Sequence, residues 1–243
     1  MQWPWRMIDR IPRVLVEWYG PWKIYRIEDP HRRVRFRFGE GFIWTVPPDG
    51  VWDATVLAAI PQPPTRVPEG LVPITRAYRL VPPDLPFKRP HTLEFRPSRD
   101  IRSRPAGIFL FHPQKHTWLF NGRMPDAPFR MDMYQPVEVL IAEDRAPPRI
   151  LRPGSPDWRW RELDRLRIPV REVGLGLRED RIRLHWDGQP VPADTVEYDP
   201  DWEAIVYRPT SPPDPGWHTV DLWIEDWAGL SASARLRIRV LRE

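Results

Sequence analysis

A chain of 243 residues with 37 basic and 33 acidic side chains, a net charge of +4, a hydrophobic fraction of 41% and 12% aromatics can build packed cores and is too apolar to stay disordered. It has no cysteine, which excludes disulfides and thiolate chemistry, and no apolar run near the ~20 residues that cross a bilayer as a helix. Thirty-three prolines, spread along the whole length, cannot donate to a ladder and break helices. They predict an all-β fold of many short strands between proline-bounded loops.

Taken in order, the chain opens on Met1-Gln-Trp-Pro-Trp-Arg, which has no apolar core or cleavage site, so no signal peptide is expected there. Two strands are predicted at Arg13–Tyr19 and Trp22–Glu28, turning at Gly20-Pro21. A lone hairpin cannot bury a core, so residues 1–31 read as a hairpin extension that leans on the adjoining domain, with Trp3, Trp5, Trp18 and Trp22 as packing anchors. From Arg32 to Phe38 the chain alternates, Val34, Phe36 and Phe38 on one face and Arg33, Arg35 and Arg37 on the other; Gly39-Glu40-Gly41 then turns into Phe42–Val46. Further strands are expected at Gly107–Phe111, Thr117–Phe120, Phe129–Met133 and Pro136–Ala142. Ile108–Phe111, apolar on both faces, reads as an interior strand, and Asn121-Gly122 reads as a type I′ turn.

Two segments of this half carry a resemblance. Val46-Pro-Pro-Asp-Gly-Val51 is a turn before a strand, and Pro82, Phe87, Pro90 and Leu93 space a later segment. Together they resemble the β-sandwich domain shared by zonula occludens proteins, netrin receptors and ankyrins, with bacterial surface relatives. The resemblance implies one sandwich over residues 32–145, in which the second segment carries the chain from one sheet to the other.

Glu143-Asp-Arg-Ala-Pro-Pro-Arg-Ile150 reads as a boundary, followed by a short helical turn at Trp158–Leu166. Strands are predicted at Arg167–Val173, Arg181–Trp186, Thr195–Tyr198, Ala204–Arg208, His218–Ile224 and Ala232–Leu241, with Asp187-Gly188 as a tight hairpin turn. In the last two strands Val220, Leu222, Ile224, Leu236, Ile238 and Val240 face in. Asp221, Glu225, Arg235, Arg237 and Arg239 face out, so opposite charges meet across the pair. The Asp…Pro-Pro-x-Ile start, the Val170-Arg-Glu-Val-Gly-Leu-Gly segment, and the Gly-x-His-Thr…Asp-x-Ala-Gly end are similar to bacterial immunoglobulin-like modules, as found beside lysostaphin-type peptidase domains. That implies a second antiparallel β-sandwich over 146–243, part of a longer surface chain. Glu172 stands where the family usually has Asp, and Leu230 where it has Asn, which weakens any metal or turn role carried over at those positions but not the fold.

The chemistry-bearing patterns are sparse. There is no Gly-x-Ser-x-Gly elbow, no His-Glu-x-x-His and no Gly-rich phosphate loop. His112 and His116 are spaced like helical metal ligands, but proline follows His112. The acidic groups Asp194, Glu197, Asp199 and Asp201, and Asp221, Glu225 and Asp226, read as solvated turns balancing arginines. No catalytic residue, metal ligand or cofactor is therefore expected. The basic residues interleave with acids along the sequence, so no nucleic-acid partner is expected either. Scarcity of amides (one asparagine, five glutamines) hints at thermostability.

Fourteen tryptophans are the unusual feature. Trp158, Trp160, Trp202 and Trp217 lie in polar, proline-rich contexts and Trp223 on an outward row, so these five are candidate ligand-binding residues. Buried satellite clusters are the plainer account of them. The expected role is a non-catalytic extracellular or cell-envelope module that spaces or presents surfaces, with other surface proteins, a second copy or cell-wall polysaccharide as partners. A carbohydrate-binding module and a self-assembling surface-layer or filament subunit are the alternatives.

Overall fold

The computed structural model describes residues 23–83, 85–123, 128–159 and 165–241. They form two compact units, one of the residues up to Pro68 with Val72–Glu143, the other of Glu69–Leu71 with the residues from Asp144. Both are β-sandwiches built from almost wholly antiparallel sheets.

In the first unit the strands are β1 (Lys23–Ile27), β2 (Val34–Phe38), β3 (Phe42–Val46), β4 (Thr55–Gln62), β5 (Leu71–Pro73), β6 (Ala77–Val81), β7 (His91–Phe95), β8 (Ala106–His112), β9 (Thr117–Arg123), β10 (Phe129–Met133) and β11 (Glu138–Asp144). A one-turn helix, α1 (Arg99–Arg102), lies between β7 and β8. One sheet runs β1-β4-β6-β11-β8-β9, with β5 on β11; the other runs β10-β7-β3-β2. The expected alternation holds in β2, where Phe36 and Phe38 are buried and Arg35 and Arg37 exposed. The segment from Pro82 to Pro90 does carry the chain between sheets, from β6 to β7. Phe36, Phe38, Phe42, Trp44, Leu93 and Phe95 dominate the core. Within it Trp44 Nε1 donates to His91 Nδ1, and burial lowers the His91 pKa to about 4, so the ring is a neutral acceptor.

The structure corrects one expectation in this half. Asn121-Gly122 is not a turn: β9 continues through it, and Phe120 pairs with Phe109 while Gly122 pairs with Ile108, leaving Asn121 as the extra residue of a bulge. The glycine is needed for packing, because a Cβ there would lie 1.9 Å from the Phe129 ring. The hairpin turn falls earlier, between His112 and Thr117, with His116 at φ +51°. The predicted strand Arg13–Tyr19 and Trp3, Trp5, Trp18 and Trp22 lie outside the described residues, while Lys23–Ile27 pairs with β4 as an edge strand of the first sandwich.

The second unit holds β12 (Arg149–Ile150), β13 (Asp157–Arg159), β14 (Leu166–Arg171), β15 (Arg183–Trp186), β16 (Gln189–Pro190), β17 (Val196–Asp199), β18 (Ala204–Tyr207), β19 (Gly216–Glu225) and β20 (Ser231–Leu241). Its sheets run β12-β14-β18-β17 and β13-β20-β19-β15-β16. β19 and β20 pair over ten residues, with Val220, Leu222, Ile224, Leu236, Ile238 and Val240 buried. Asp187 and Gly188 both take positive φ, as a type I′ turn requires. The start of the helical turn expected at Trp158–Leu166 is strand, and residues 160–164 lie outside the described residues. Residues 157–159 add to β20 as a parallel strand, and Trp158 faces Val240 and meets Trp186 edge to face at 6.1 Å. Burying a large indole outweighs the weak local preference of a short polar segment.

Candidate metal centre

Three carboxylates from distant parts of the sequence meet at one end of the second sandwich. Asp144 opens the unit, Glu172 follows β14, and Asp226 opens the turn from β19 to β20. A carboxylate oxygen from each lies within 4.8 Å of those of the other two. Asp144 and Asp226 are buried, at 1% and 0% exposure, and Glu172 is half-buried.

Local turns fix each side chain. Asp144 Oδ1 accepts the amide of Ala146 at 3.1 Å and Oδ2 that of Leu175 at 2.8 Å. Glu172 Oε1 accepts the Gly174 amide at 2.5 Å, and Asp226 Oδ1 that of Leu230 at 2.8 Å. Gly174 packs so close to Asp144 that a Cβ would lie 1.8 Å from Oδ2. Turn amides thus bolt one oxygen of Glu172 and of Asp226, while Glu172 Oε2 and Asp226 Oδ2 are buried with no hydrogen-bond partner. Orphaned buried oxygens are costly. Burial, reinforced by the neighbouring Asp144 charge and opposed by the turn amides, lifts Glu172 to about 7 and Asp226 to about 6; burial also raises Asp144.

Such a cluster can keep protons on its carboxyls or hold a cation. The donors are oxygen only, with no imidazole or thiolate, which suits calcium or magnesium and not zinc. Glu172 and Asp226 would ligate through the oxygens left without partners, and Asp144 would add its charge; water and backbone carbonyls would complete the shell. The other acids are used differently. Asp221 pairs with Arg235 at 2.6 Å, Glu225 with Arg178 at 3.4 Å and Glu197 with Arg208 at 2.6 Å, and Asp199 caps the amides of Asp201 and Trp202. His112 and His116 lie in the turn between β8 and β9, where His112 Nδ1 accepts the Lys115 amide.

The four candidate tryptophans among the described residues make no ring contact with one another. Trp158 is a core residue at 8% exposure, which removes it as a ligand platform, and Trp160 lies outside the described residues. Trp223 is half-buried on the outer face of β19, while Trp202 (50%) and Trp217 (52%) are exposed. The exposed indoles are not bare, however. Arg165 and Arg167 lie over Trp202, and Arg237 and Arg239 over Trp217. Trp227, which sequence reasoning passed over, carries Arg178, and Trp52 carries Lys88. Each contact contributes about 0.5–1 kcal/mol at an exposed site.

Sequence reasoning missed the carboxylate cluster because its members sit in three separate turns. No protein family and no curated protein matches the chain.

Proposed function

We propose that this chain is a non-catalytic module of the cell envelope or extracellular space, whose second sandwich holds a hard divalent cation, calcium above all, between Asp144, Glu172 and Asp226. The supporting observation is the pair of buried carboxylate oxygens, Glu172 Oε2 and Asp226 Oδ2, with no partner in a cluster of three acids. The cation neutralises charges that otherwise repel at low local dielectric and ties together the start of the unit, the end of β14 and the β19–β20 turn. Extracellular calcium is abundant enough to fill weak sites of this kind, and the likeness to surface immunoglobulin-like modules favours the same location. Two rigid sandwiches then present faces and end loops to other surface proteins, a second copy or cell-wall polysaccharide. Stacking of neutral sugars on bare indoles is the weaker reading, because guanidinium groups already lie over Trp202 and Trp217.

The test is thermal unfolding of the chain near neutral pH in millimolar calcium and in chelator. A ligand at a hundredfold excess over its Kd adds about 2.7 kcal/mol, so a rise of several degrees in calcium is expected. Glu172→Gln combined with Asp226→Asn should abolish it. An unchanged melting temperature in the wild-type chain removes the cation reading.

A further inference from the structure

The arginines that interleave with core residues along β20 gather in space. Because Leu236, Ile238 and Val240 are buried, Arg235, Arg237 and Arg239 project from the open face of the five-stranded sheet. Two residues of strand separate each from the next, about 7 Å at ~3.4 Å per residue. Register sets Trp217 opposite Arg239 and Thr219 opposite Arg237 on β19, with Arg183 of β15 opposite Trp223. The Arg237 and Arg239 guanidiniums lie 4.8 and 6.0 Å from the centroid of the Trp217 ring. Among the described residues three acids share this face. Asp221 is held by Arg235 through two contacts at 2.6 and 3.2 Å, Glu225 is paired with Arg178, and Asp157 pairs in register with Arg239 at the rim. Among the described residues Arg237 and Arg239 make no ion pair. Beside them a shallow depression of about 340 Å³ is lined by His185, Asp221, Trp223, Ser233 and Arg235.

We infer that this face binds an anionic polysaccharide, a sugar chain bearing carboxylate or sulfate groups. Both guanidiniums lie over the Trp217 ring and make no ion pair among the described residues, so they can grip a planar or tetrahedral oxyanion through paired hydrogen bonds. The row along β20 is linear and repeats, as the charges of an extended polymer do. The Trp223 indole, half-exposed in the depression, supplies an apolar surface for the C–H face of a sugar. Nucleic acid is the poorer fit. Its affinity comes mainly from a broad basic field that releases counterions, and here 37 basic residues face 33 acidic ones. The inference does not rest on the cation site; it gives the surface-module reading a class of partner, and the two fail separately, one in the melting experiment and the other in gel retardation.

The full chain is run by affinity electrophoresis through gels holding dextran sulfate, polygalacturonate or unmodified dextran, with duplex DNA as a fourth arm. Both anionic glycans should retard it and dextran should not. R237Q/R239Q should raise the apparent Kd at least tenfold, and W217A severalfold, because the guanidiniums lose their support. R35Q/R130Q, in the arginine-lined depression of the first unit, should leave retardation unchanged. Unchanged melting temperatures in the glutamine variants confirm that the fold is intact. Full binding by R237Q/R239Q overturns the inference. So does an equal loss in R35Q/R130Q, equal retardation by dextran, or tighter binding to DNA than to either glycan.

Discussion

His218 is held through both ring nitrogens, Nδ1 by an Asp187 carboxylate oxygen and Nε2 by the main-chain carbonyl of Asp214, each at 2.7 Å. Both partners only accept, so both nitrogens must carry protons and the ring is an imidazolium. Burial disfavours that charge, but the Asp187 hydrogen bond and the Asp214 carbonyl outweigh it, and the pKa is raised. Burial also opposes ionisation of Asp187, yet the Thr219 amide and His218 bring its pKa down. The pair fastens the type I′ turn to β19 and to the loop before it.

This pair gives the pH dependence a definite sign. A folded pKa above the unfolded value of about 6.5 means that the histidine's contribution is complete below that value and is lost as pH rises through the folded pKa. The depressed Asp187 acts in the opposite sense: its contribution is present above the unfolded value of about 3.9 and is lost as pH falls through its folded pKa. Thermal melts should therefore show a step of stabilisation on the acid side of neutrality that His218→Gln removes, and proton NMR of the ring should titrate above the usual histidine range. A ring that titrates below that range would contradict the imidazolium.

The carboxylate cluster acts in the same sense as His218, over a pH window that begins lower. Acids whose folded pKa is raised keep protons that the unfolded chain releases, so without a divalent cation the second unit should lose stability as pH climbs from about 4 towards the Glu172 value of about 7. Calcium should restore it most strongly at the alkaline end of that window, since the cation competes with protons for the same oxygens. Melting curves against pH, with and without calcium, test this; parallel curves would speak against it.

Gly174→Ala places a methyl group 1.8 Å from Asp144 Oδ2 and must displace that carboxylate from the Leu175 amide. A loss of about 1–3 kcal/mol is expected from the hydrogen bond and the group it leaves buried. The response to calcium should weaken with it. Denaturant unfolding and calorimetric titration of the same variant read the two effects.

Buried and exposed tryptophans should separate cleanly. Trp158→Ala removes a core indole and should cost about 3–5 kcal/mol. Trp202→Ala forfeits mainly its contacts with Arg165 and Arg167 and should cost about 1–2 kcal/mol. Urea midpoints of the two variants give the comparison.

Where a residue's environment is set by its strand neighbours, the sequence could be read. The alternation in β2, β19 and β20, the Asp187-Gly188 turn and the pairing of Asp221 with Arg235 are all local or next-strand relations. Reading failed where distance or context decides. Asn121-Gly122 has turn chemistry, yet packing of Phe129 against the glycine makes it a bulge. Trp158 is buried, as the plainer account of it has it, but on a strand too short to show a period and not under a folded-back loop. Asp144, Glu172 and Asp226 look like ordinary turn acids until the fold brings three turns together. The arginines of β20 look dispersed in the sequence because interleaving along a strand becomes clustering on one face.

Among the described residues, the outermost strands of the second sandwich are short. β13 spans three residues, β16 two with Pro190 among them, β12 two and β17 four. Such short margins give a neighbouring chain little backbone to knit onto. At the β12, β16 and β17 margins, copies should meet through side chains and not by strand addition.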